Sequence, residues 1–126
     1  MIKLKTIKEK EIVPGFFGKF CHGDKMTLAF WEVKKGSSIP EHNHVHEQIL
    51  FVQSGKFELA LEGEKITVKK NELVVIPSNK NHSGIALSDC KLIDVFTPKR
   101  EEYNNCLLYT SPSPRDRTRS RMPSSA

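Results

Sequence analysis

The sequence contains few cysteines and no long apolar run. Its 126 residues include three cysteines, Cys21, Cys90 and Cys106. An odd number of widely spaced cysteines is not the framework of a disulfide-stabilised secreted domain. No apolar stretch approaches the length of a membrane span, and the N-terminus lacks the apolar core and the cleavage site of a secretory signal. We therefore expect a cytoplasmic protein with no membrane partner.

The sequence also lacks a long helical pattern, and short strand signals dominate instead. Residues 25–35 form a β-rich run, and further short apolar or alternating runs fall at residues 49–52, 57–61, 66–68, 73–76 and 92–96. Turn-forming residues separate these runs. Many short strands at regular spacing are typical of a sandwich or barrel. Since there is neither an internal repeat nor a linker, we expect residues 1–105 to form one all-β domain.

The composition changes abruptly at residue 106. Residues 106–126 are rich in Ser, Pro and Arg and have no apolar periodicity after Tyr109. Residues 106–116 and 120–126 can be back-translated into the two parts of a transposase-type sequencing adapter, with a gap that fits an index sequence. We interpret residues 106–126 as a non-native tail that resembles a translated sequencing adapter, and we expect it to be disordered. The alternative is a natural basic tail that binds nucleic acid.

The tail accounts for most of the positive charge. The whole chain has 20 Lys and Arg against 15 Asp and Glu, a net charge of +5. The tail holds four of the Arg and one of the Asp, so residues 1–105 carry 16 basic and 14 acidic groups, a net charge of +2. We therefore expect no nucleic-acid partner.

Four of the five histidines lie in two short segments. His42, His44 and His46 precede Gln48, and His82 stands apart. Alternate residues of an extended segment share a face, so His42 and His44 can face one metal ion. His46 and Gln48 lie at alternate positions too, so they are further possible ligands. Imidazole binds Zn, Ni and Fe, and an amide oxygen suits the harder divalent ions. The alternative is a set of solvated surface histidines.

The spacing around these histidines resembles two motifs of the cupin superfamily. The pattern G-x5-H-x-H-x3-Q-x6-G, from Gly36 to Gly55, resembles the first motif, with Gln where the family usually has Glu. The pattern N-x5-P-x-N-x2-H, which ends at His82, resembles the second. It has Asn71 and Asn79 at the usual Gly positions, and Asn tolerates positive φ. The resemblance implies a single jelly-roll β-barrel with a divalent metal in its mouth, bound by His42, His44, Gln48 and His82.

Gln48 makes this implied ligand set neutral. A divalent ion bound by three His and one Gln keeps its full charge and attracts anionic ligands, while the carboxylate of a ferrous-oxygenase triad is missing. Glu47 could replace that carboxylate only through a β-bulge, because it has the opposite parity to His42 and His44. The family motif passes over His46, which we expect at the rim of the site. The identity of the metal, whether Zn, Ni, Mn or Fe, stays open.

An acidic residue interrupts an apolar strand near residue 100. Asp94 has the same parity as Leu92 and Phe96, and a buried carboxylate needs either a partner or a function. Its surroundings, from residue 33 to residue 103, resemble the pectin-degradation (KdgF-type) cupins. In that family the array D-x-F-x3-R belongs to the proposed catalytic group, which here implies Asp94, Phe96 and Arg100.

The resemblance implies a metal-dependent enzyme that opens the ring of unsaturated hexuronates released from pectin or alginate. Asp94 would move the proton, Arg100 would hold the substrate carboxylate, and Phe96 would pack on the sugar ring. Two alternatives remain, since one fold supports many functions. One is a sugar- or metabolite-binding cupin without catalysis, and the other is an iron-dependent dioxygenase, which the missing glutamate disfavours.

The N-terminal segment predicts self-association. Residues 2–7 alternate apolar and polar side chains, as an exposed edge strand does, and such an edge favours strand exchange or sheet extension between copies. We therefore expect a homodimer.

Deletion of residues 106–126 tests the interpretation of the tail. A segment that did not evolve with the domain makes no stabilising contacts, so the melting temperature of residues 1–105 should equal that of the whole chain within experimental error. Thermal unfolding followed by circular dichroism measures it, and a loss of several degrees would contradict the adapter interpretation.

Overall fold

The computed structural model describes residues 1–100 of the chain. The predicted domain end at residue 105 and the predicted tail at residues 106–126 therefore lie outside the described residues. The described part contains one short 3-10 helix, Leu4–Thr6. Its ten strands are β1 (Lys10–Val13), β2 (Phe16–His22), β3 (Thr27–Val33), β4 (Ser38–His42), β5 (Glu47–Ser54), β6 (Lys56–Leu61), β7 (Glu64–Lys69), β8 (Leu73–Ile76), β9 (His82–Ala86) and β10 (Cys90–Thr97).

The strands form two antiparallel sheets. The larger sheet has six strands in the order β1-β2-β3-β10-β5-β8, and the smaller has four in the order β4-β9-β6-β7. The all-β prediction is thus confirmed, although hydrogen bonds among residues 1–100 do not join the two sheets into a closed barrel. A helix of the length and apolar character that a membrane crossing requires is absent from residues 1–100.

The core lies between the inner faces of the two sheets. Buried and exposed residues alternate along β3 and β10, as expected of strands with one face on a core. Phe16, Trp31 and Phe57 meet edge to face there, with ring centroids 6.0 and 6.5 Å apart for the pairs that Phe16 makes. The core also surrounds two charged residues, Asp94 and Arg100, both buried.

Several turns depend on residues that tolerate positive φ. Asn71 and Asn79 have φ of 67° and 62°, which explains why Asn can stand at these two motif positions. The hairpin between β6 and β7 turns on Glu62 and Gly63, with φ of 50° and 85°. Positive φ at both central residues is the geometry of a type I′ hairpin turn.

The prediction of an N-terminal edge strand is wrong. Residues 4–6 form the 3-10 helix, and the first strand begins at Lys10. The alternation in residues 2–7 therefore does not place apolar and polar side chains on opposite faces of a strand. Ile2 and Leu4 are exposed. An edge strand at this position cannot support dimerisation.

Strands β2 and β9, which contain glycine, were not predicted from the sequence. Gly18 in β2 lies so close to Trp31 that a β-carbon would stand 2.9 Å from its Cζ3. Gly84 in β9 leaves room for the ring of Phe57, which would clash with an added β-carbon. Glycine weakens a strand signal in the sequence, but at these two positions it leaves room for an aromatic ring of the neighbouring strand in the same sheet.

Candidate metal centre

Three histidines meet where β4 and β9 pair. His42 ends β4 and lies opposite His82, the first residue of β9, while His44 follows in the loop before β5. The ring centroids of His42 and His82 are 4.3 Å apart, and those of His44 and His82 are 4.9 Å apart. One nitrogen of each ring lies within 4.8 Å of the others, so His42, His44 and His82 could hold a metal ion.

Backbone carbonyls fix the tautomer of all three rings. Nδ1 of His42 is 2.9 Å from the Pro40 oxygen, Nδ1 of His44 is 3.0 Å from the His46 oxygen, and Nδ1 of His82 is 2.9 Å from the Lys80 oxygen. A carbonyl oxygen only accepts, so each Nδ1 carries the hydrogen and each Nε2 keeps a lone pair.

The Nε2 atom of His44 is the clearest sign that a cation fits. Within residues 1–100 this buried nitrogen has no hydrogen-bond partner. Metal-bound histidines in proteins typically donate their second N–H to a carbonyl or carboxylate, as these three do. The arrangement thus fits a metal ion held by three Nε2 atoms.

The electrostatics keep the three rings uncharged. Burial lowers the pKa of His42 and of His44 to about 4, and the Arg100 charge contributes to both shifts. Burial also lowers the pKa of His82. Because metal ligation requires neutral imidazole, these rings need lose no proton at neutral pH.

A buried carboxylate lies on the neighbouring sheet. Asp94 is 6% exposed and points inward from β10. Its Oδ1 accepts the Gln48 side-chain N–H at 2.9 Å, and its Oδ2 accepts the Trp31 indole N–H at 3.0 Å. Burial raises the pKa of Asp94 to about 6, and the two hydrogen bonds and the Arg100 charge oppose the shift.

The strand register explains this hydrogen-bonded group. β10 lies between β3 and β5, where Leu92 pairs with Trp31 and Phe96 pairs with Gln48. Asp94 stands midway between Leu92 and Phe96 on the same face, so Trp31 and Gln48 are its diagonal neighbours on either side. Long side chains can interact across that diagonal.

Arg100 enters the interior after β10 has ended. It is 1% exposed, and its guanidinium carbon lies 4.6 Å from the centroid of the Phe96 ring, a cation–π distance. Its backbone N–H donates to the Thr27 hydroxyl at 2.8 Å, and Thr27 is fully buried. Thr27 thus fixes the main chain at Arg100, where no strand pairing does so.

One cavity between the sheets brings most of the predicted site residues together. It is lined by six of them: His42, Gln48, His82, Asp94, Phe96 and Arg100. Its remaining wall is mainly apolar and includes Trp31 and Leu50. His44 belongs to the histidine group, although its side chain does not line this cavity.

Glu47 and His46, the two other residues considered as metal ligands, lie outside the histidine group. Glu47 is exposed whereas Gln48 is buried, in keeping with the predicted parity. His46 is not in the histidine group; its Nε2 lies 3.3 Å from the Lys99 oxygen, and its own carbonyl holds His44.

Trp31 and Thr27 contact the predicted site residues but were not predicted from the sequence. Trp31 is the sole tryptophan of the chain and stands at an inward position of β3. Its inward position could have been predicted from the alternation along the strand. Its hydrogen-bond partner, Asp94, could not, because it lies 63 positions further along the chain.

Comparisons with known proteins agree with this architecture. The family model described as "Cupin domain" matches residues 29–96. The pectin degradation protein KdgF of Dickeya dadantii (strain 3937) is 33% identical over 82 residues, which are 64% of this chain and 74% of that protein.

Solved structures show the same fold. KdgF from Halomonas sp. is 30% identical, with a TM-score of 0.72 over 76% of this chain and 90% of that one. An RmlC-like cupin from Shewanella frigidimarina NCIMB 400 is 21% identical, with a TM-score of 0.75 over 79% and 90% of the two chains, and it supports the fold alone. The predicted cupin jelly roll and the predicted resemblance to KdgF are confirmed. The chain belongs to the cupin family.

Proposed function

We propose that this cupin converts unsaturated hexuronates, the products of pectin or alginate lyases, into their linear 4-deoxy-5-keto forms. One observation carries the proposal: the Asp94 carboxylate and the Arg100 guanidinium share a cavity with two members of the histidine group, His42 and His82. The similarity to two KdgF proteins, one of them described as a pectin degradation protein, supports a role in pectin breakdown. A site that only bound a metal ion would need neither the carboxylate nor the guanidinium.

The proposed metal ligands are the three histidines and Gln48. Because Gln48 donates its amide N–H to Asp94, its carbonyl oxygen remains available to a cation. Asp94 thus orients the amide. A divalent ion held by this neutral set would act as a Lewis acid toward oxygen atoms of the sugar.

Asp94 is the proposed proton carrier. In the substrate, C5 carries the ring oxygen, the carboxylate and a double bond to C4. Ring opening breaks the bond between C1 and the ring oxygen while the C1 hydroxyl loses its proton, which leaves an aldehyde at C1 and an enol oxygen at C5. Uptake of a proton at C4 then gives the C5 ketone. One proton leaves and one arrives, so a single carboxylate can accept the first and deliver the second.

Arg100 and Phe96 provide the proposed binding contacts. The guanidinium is planar and can bind a carboxylate through two parallel N–H groups, which matches the acid at C5. Its packing on the Phe96 ring restricts its movement. The apolar wall of the cavity would exclude water from the enol.

The dioxygenase alternative lacks support at the ligand positions. The ferrous triad of two histidines and one carboxylate finds no carboxylate at the expected place, because Glu47 is exposed on the opposite face of β5 from Gln48. Asp94 is already bound to Gln48 and Trp31. Binding of a sugar without catalysis remains the second candidate, because the same contacts would serve it.

The metal prediction compares two substitutions. His82→Ala removes a proposed ligand and should lower metal affinity by at least about tenfold, since even indirect supports of metal ligands are worth about 10- to 100-fold. Glu47→Ala changes an exposed carboxylate and should leave the affinity unchanged. Calorimetric titration of the metal-free protein measures both. Loss of metal from Glu47→Ala would identify Glu47 as a ligand and restore the dioxygenase alternative.

A second prediction concerns the Gln48–Asp94 pair. Gln48→Glu places two carboxylates within hydrogen-bond distance, which cannot both ionise without repulsion. We expect the free energy of unfolding at neutral pH to fall by about 1–3 kcal/mol, the typical penalty for a buried polar group without its partner.

The matched control for that substitution is the double variant Gln48→Glu with Asp94→Asn. The amide introduced at position 94 can donate to the carboxylate introduced at position 48 while its oxygen accepts from Trp31, so stability should return. Urea unfolding of the metal-free proteins tests this. A stable Gln48→Glu single variant would show that the pair is not coupled.

The reaction is tested with Asp94→Asn and Arg100→Lys. Asp94→Asn keeps the shape but removes the proton carrier, so activity should fall by about 10²- to 10⁴-fold while the histidines still bind metal. Arg100→Lys should chiefly raise KM, because a point charge cannot replace the planar fork. Loss of the ene-acid absorbance follows the reaction, with galacturonate- and mannuronate-derived substrates.

Glu64→Gln, which changes an exposed carboxylate on β7, is the control and should keep full activity. If no such substrate reacts faster with the protein than without it, at any common divalent metal, the isomerase proposal fails. Binding without catalysis then becomes the better account.

A further inference from the structure

The segment that carries Arg100 is held from two sides. Residues 98–100 follow the end of β10 and belong to no strand. On one side, the Arg100 backbone N–H donates to the Thr27 hydroxyl at 2.8 Å. On the other side, Nε2 of His46 lies 3.3 Å from the Lys99 carbonyl oxygen. Because a carbonyl oxygen only accepts, Nε2 carries the hydrogen and the His46 ring donates it.

His46 also contacts the candidate metal centre. Its main-chain oxygen accepts the Nδ1–H of His44 at 3.0 Å, and the two imidazole rings meet edge to face with centroids 5.4 Å apart. The His46 ring meets the ring of Phe96 in the same way, with centroids 6.4 Å apart. Phe96 in turn packs against the Arg100 guanidinium. One residue thus contacts a proposed metal ligand, the ring that supports the guanidinium, and the main chain next to Arg100.

We propose that His46 is a positioning residue, which holds the Arg100 guanidinium in place relative to the histidine group through its hydrogen bond to Lys99. A carboxylate is bound through two parallel N–H groups only when the planar guanidinium is held at the right angle to it. The assignment of the substrate carboxylate to Arg100 rests on the proposed function, but the positioning of the guanidinium does not.

The main chain and the side chain of His46 serve different groups. The main-chain oxygen orients His44 and is present in any residue at position 46. The side chain supplies the N–H that reaches Lys99. Substitution of the side chain should therefore leave metal binding intact and release the guanidinium. A merely structural role would change stability without separating these two properties.

Two substitutions separate the ring from the hydrogen bond. His46→Phe keeps an aromatic ring beside His44 and Phe96 but removes the N–H. His46→Gln removes the ring but keeps an amide N–H at a similar distance from the main chain, so it can still donate to Lys99. Val45→Ala changes an exposed neighbour in the same loop and is the matched control.

The Arg100 side chain can be observed by nuclear magnetic resonance of the full chain. Its Nε–H signal is assigned by its absence from the spectrum of Arg100→Lys. In His46→Phe the signal should shift, and its hydrogen should exchange with water about three- to tenfold faster, the ratio expected from the loss of one ordinary hydrogen bond. His46→Gln and Val45→Ala should give the wild-type signal. Calorimetric titration should give the same metal affinity for all of these position-45 and position-46 variants.

Kinetics extend the test to the proposed reaction. His46→Phe should raise KM for the unsaturated hexuronates by a similar factor with little change in kcat, and His46→Gln should restore it. If no hexuronate reacts with the wild type, the proposed function fails, whereas the Arg100 signal still decides whether His46 positions the guanidinium.

Circular dichroism checks that each variant is folded. If His46→Phe does not fold, His46→Met takes its place, because it has a flexible side chain of similar length without an N–H. An unchanged Arg100 signal in the folded variant would overturn the proposal. A change of the same size in His46→Gln would also overturn it, since the hydrogen bond would then not be the cause, and so would an equal loss of metal from both variants.

Discussion

The buried Asp94 carboxylate constrains the rest of the interior. It accepts hydrogen bonds from Trp31 on β3 and from Gln48 on β5, so three neighbouring strands are tied together by one side chain in an apolar core. Removing a carboxylate from water is costly unless such partners compensate for the lost hydration. The same contact decides which atom of Gln48 faces the cavity. Stability and the composition of the candidate metal centre therefore depend on one group.

This dependence gives a physical reason for Gln at a position where the motif usually has Glu. A second carboxylate at position 48 would stand within hydrogen-bond distance of Asp94, and the pair would then share a proton or repel. An amide instead donates to the carboxylate and offers its oxygen to the cavity. The neutral character of the proposed ligand set thus follows from the presence of Asp94.

The six-stranded sheet has two apolar sides with different uses. Its inner side supplies the core and the cavity, and its outward side leaves large aliphatic side chains such as Leu73 and Val75 exposed. The four-stranded sheet keeps the usual polar exterior, so composition alone does not explain the difference.

From alternation and motif spacing, which are local properties, the sequence predicts the all-β fold and both histidine segments, whereas the array around Asp94 followed only from the resemblance to the KdgF-type cupins. It misjudged residues 2–7, where alternation occurs without a strand, and it missed Trp31 and Thr27, whose partners are 63 and 73 positions away. It did not predict that exposed apolar residues such as Ile49 and Val75 are neighbours, because they meet only when β5 and β8 pair. The tautomers of the three histidines, by contrast, depend on local backbone conformation, because each Nδ1 meets the carbonyl of a residue only two positions away.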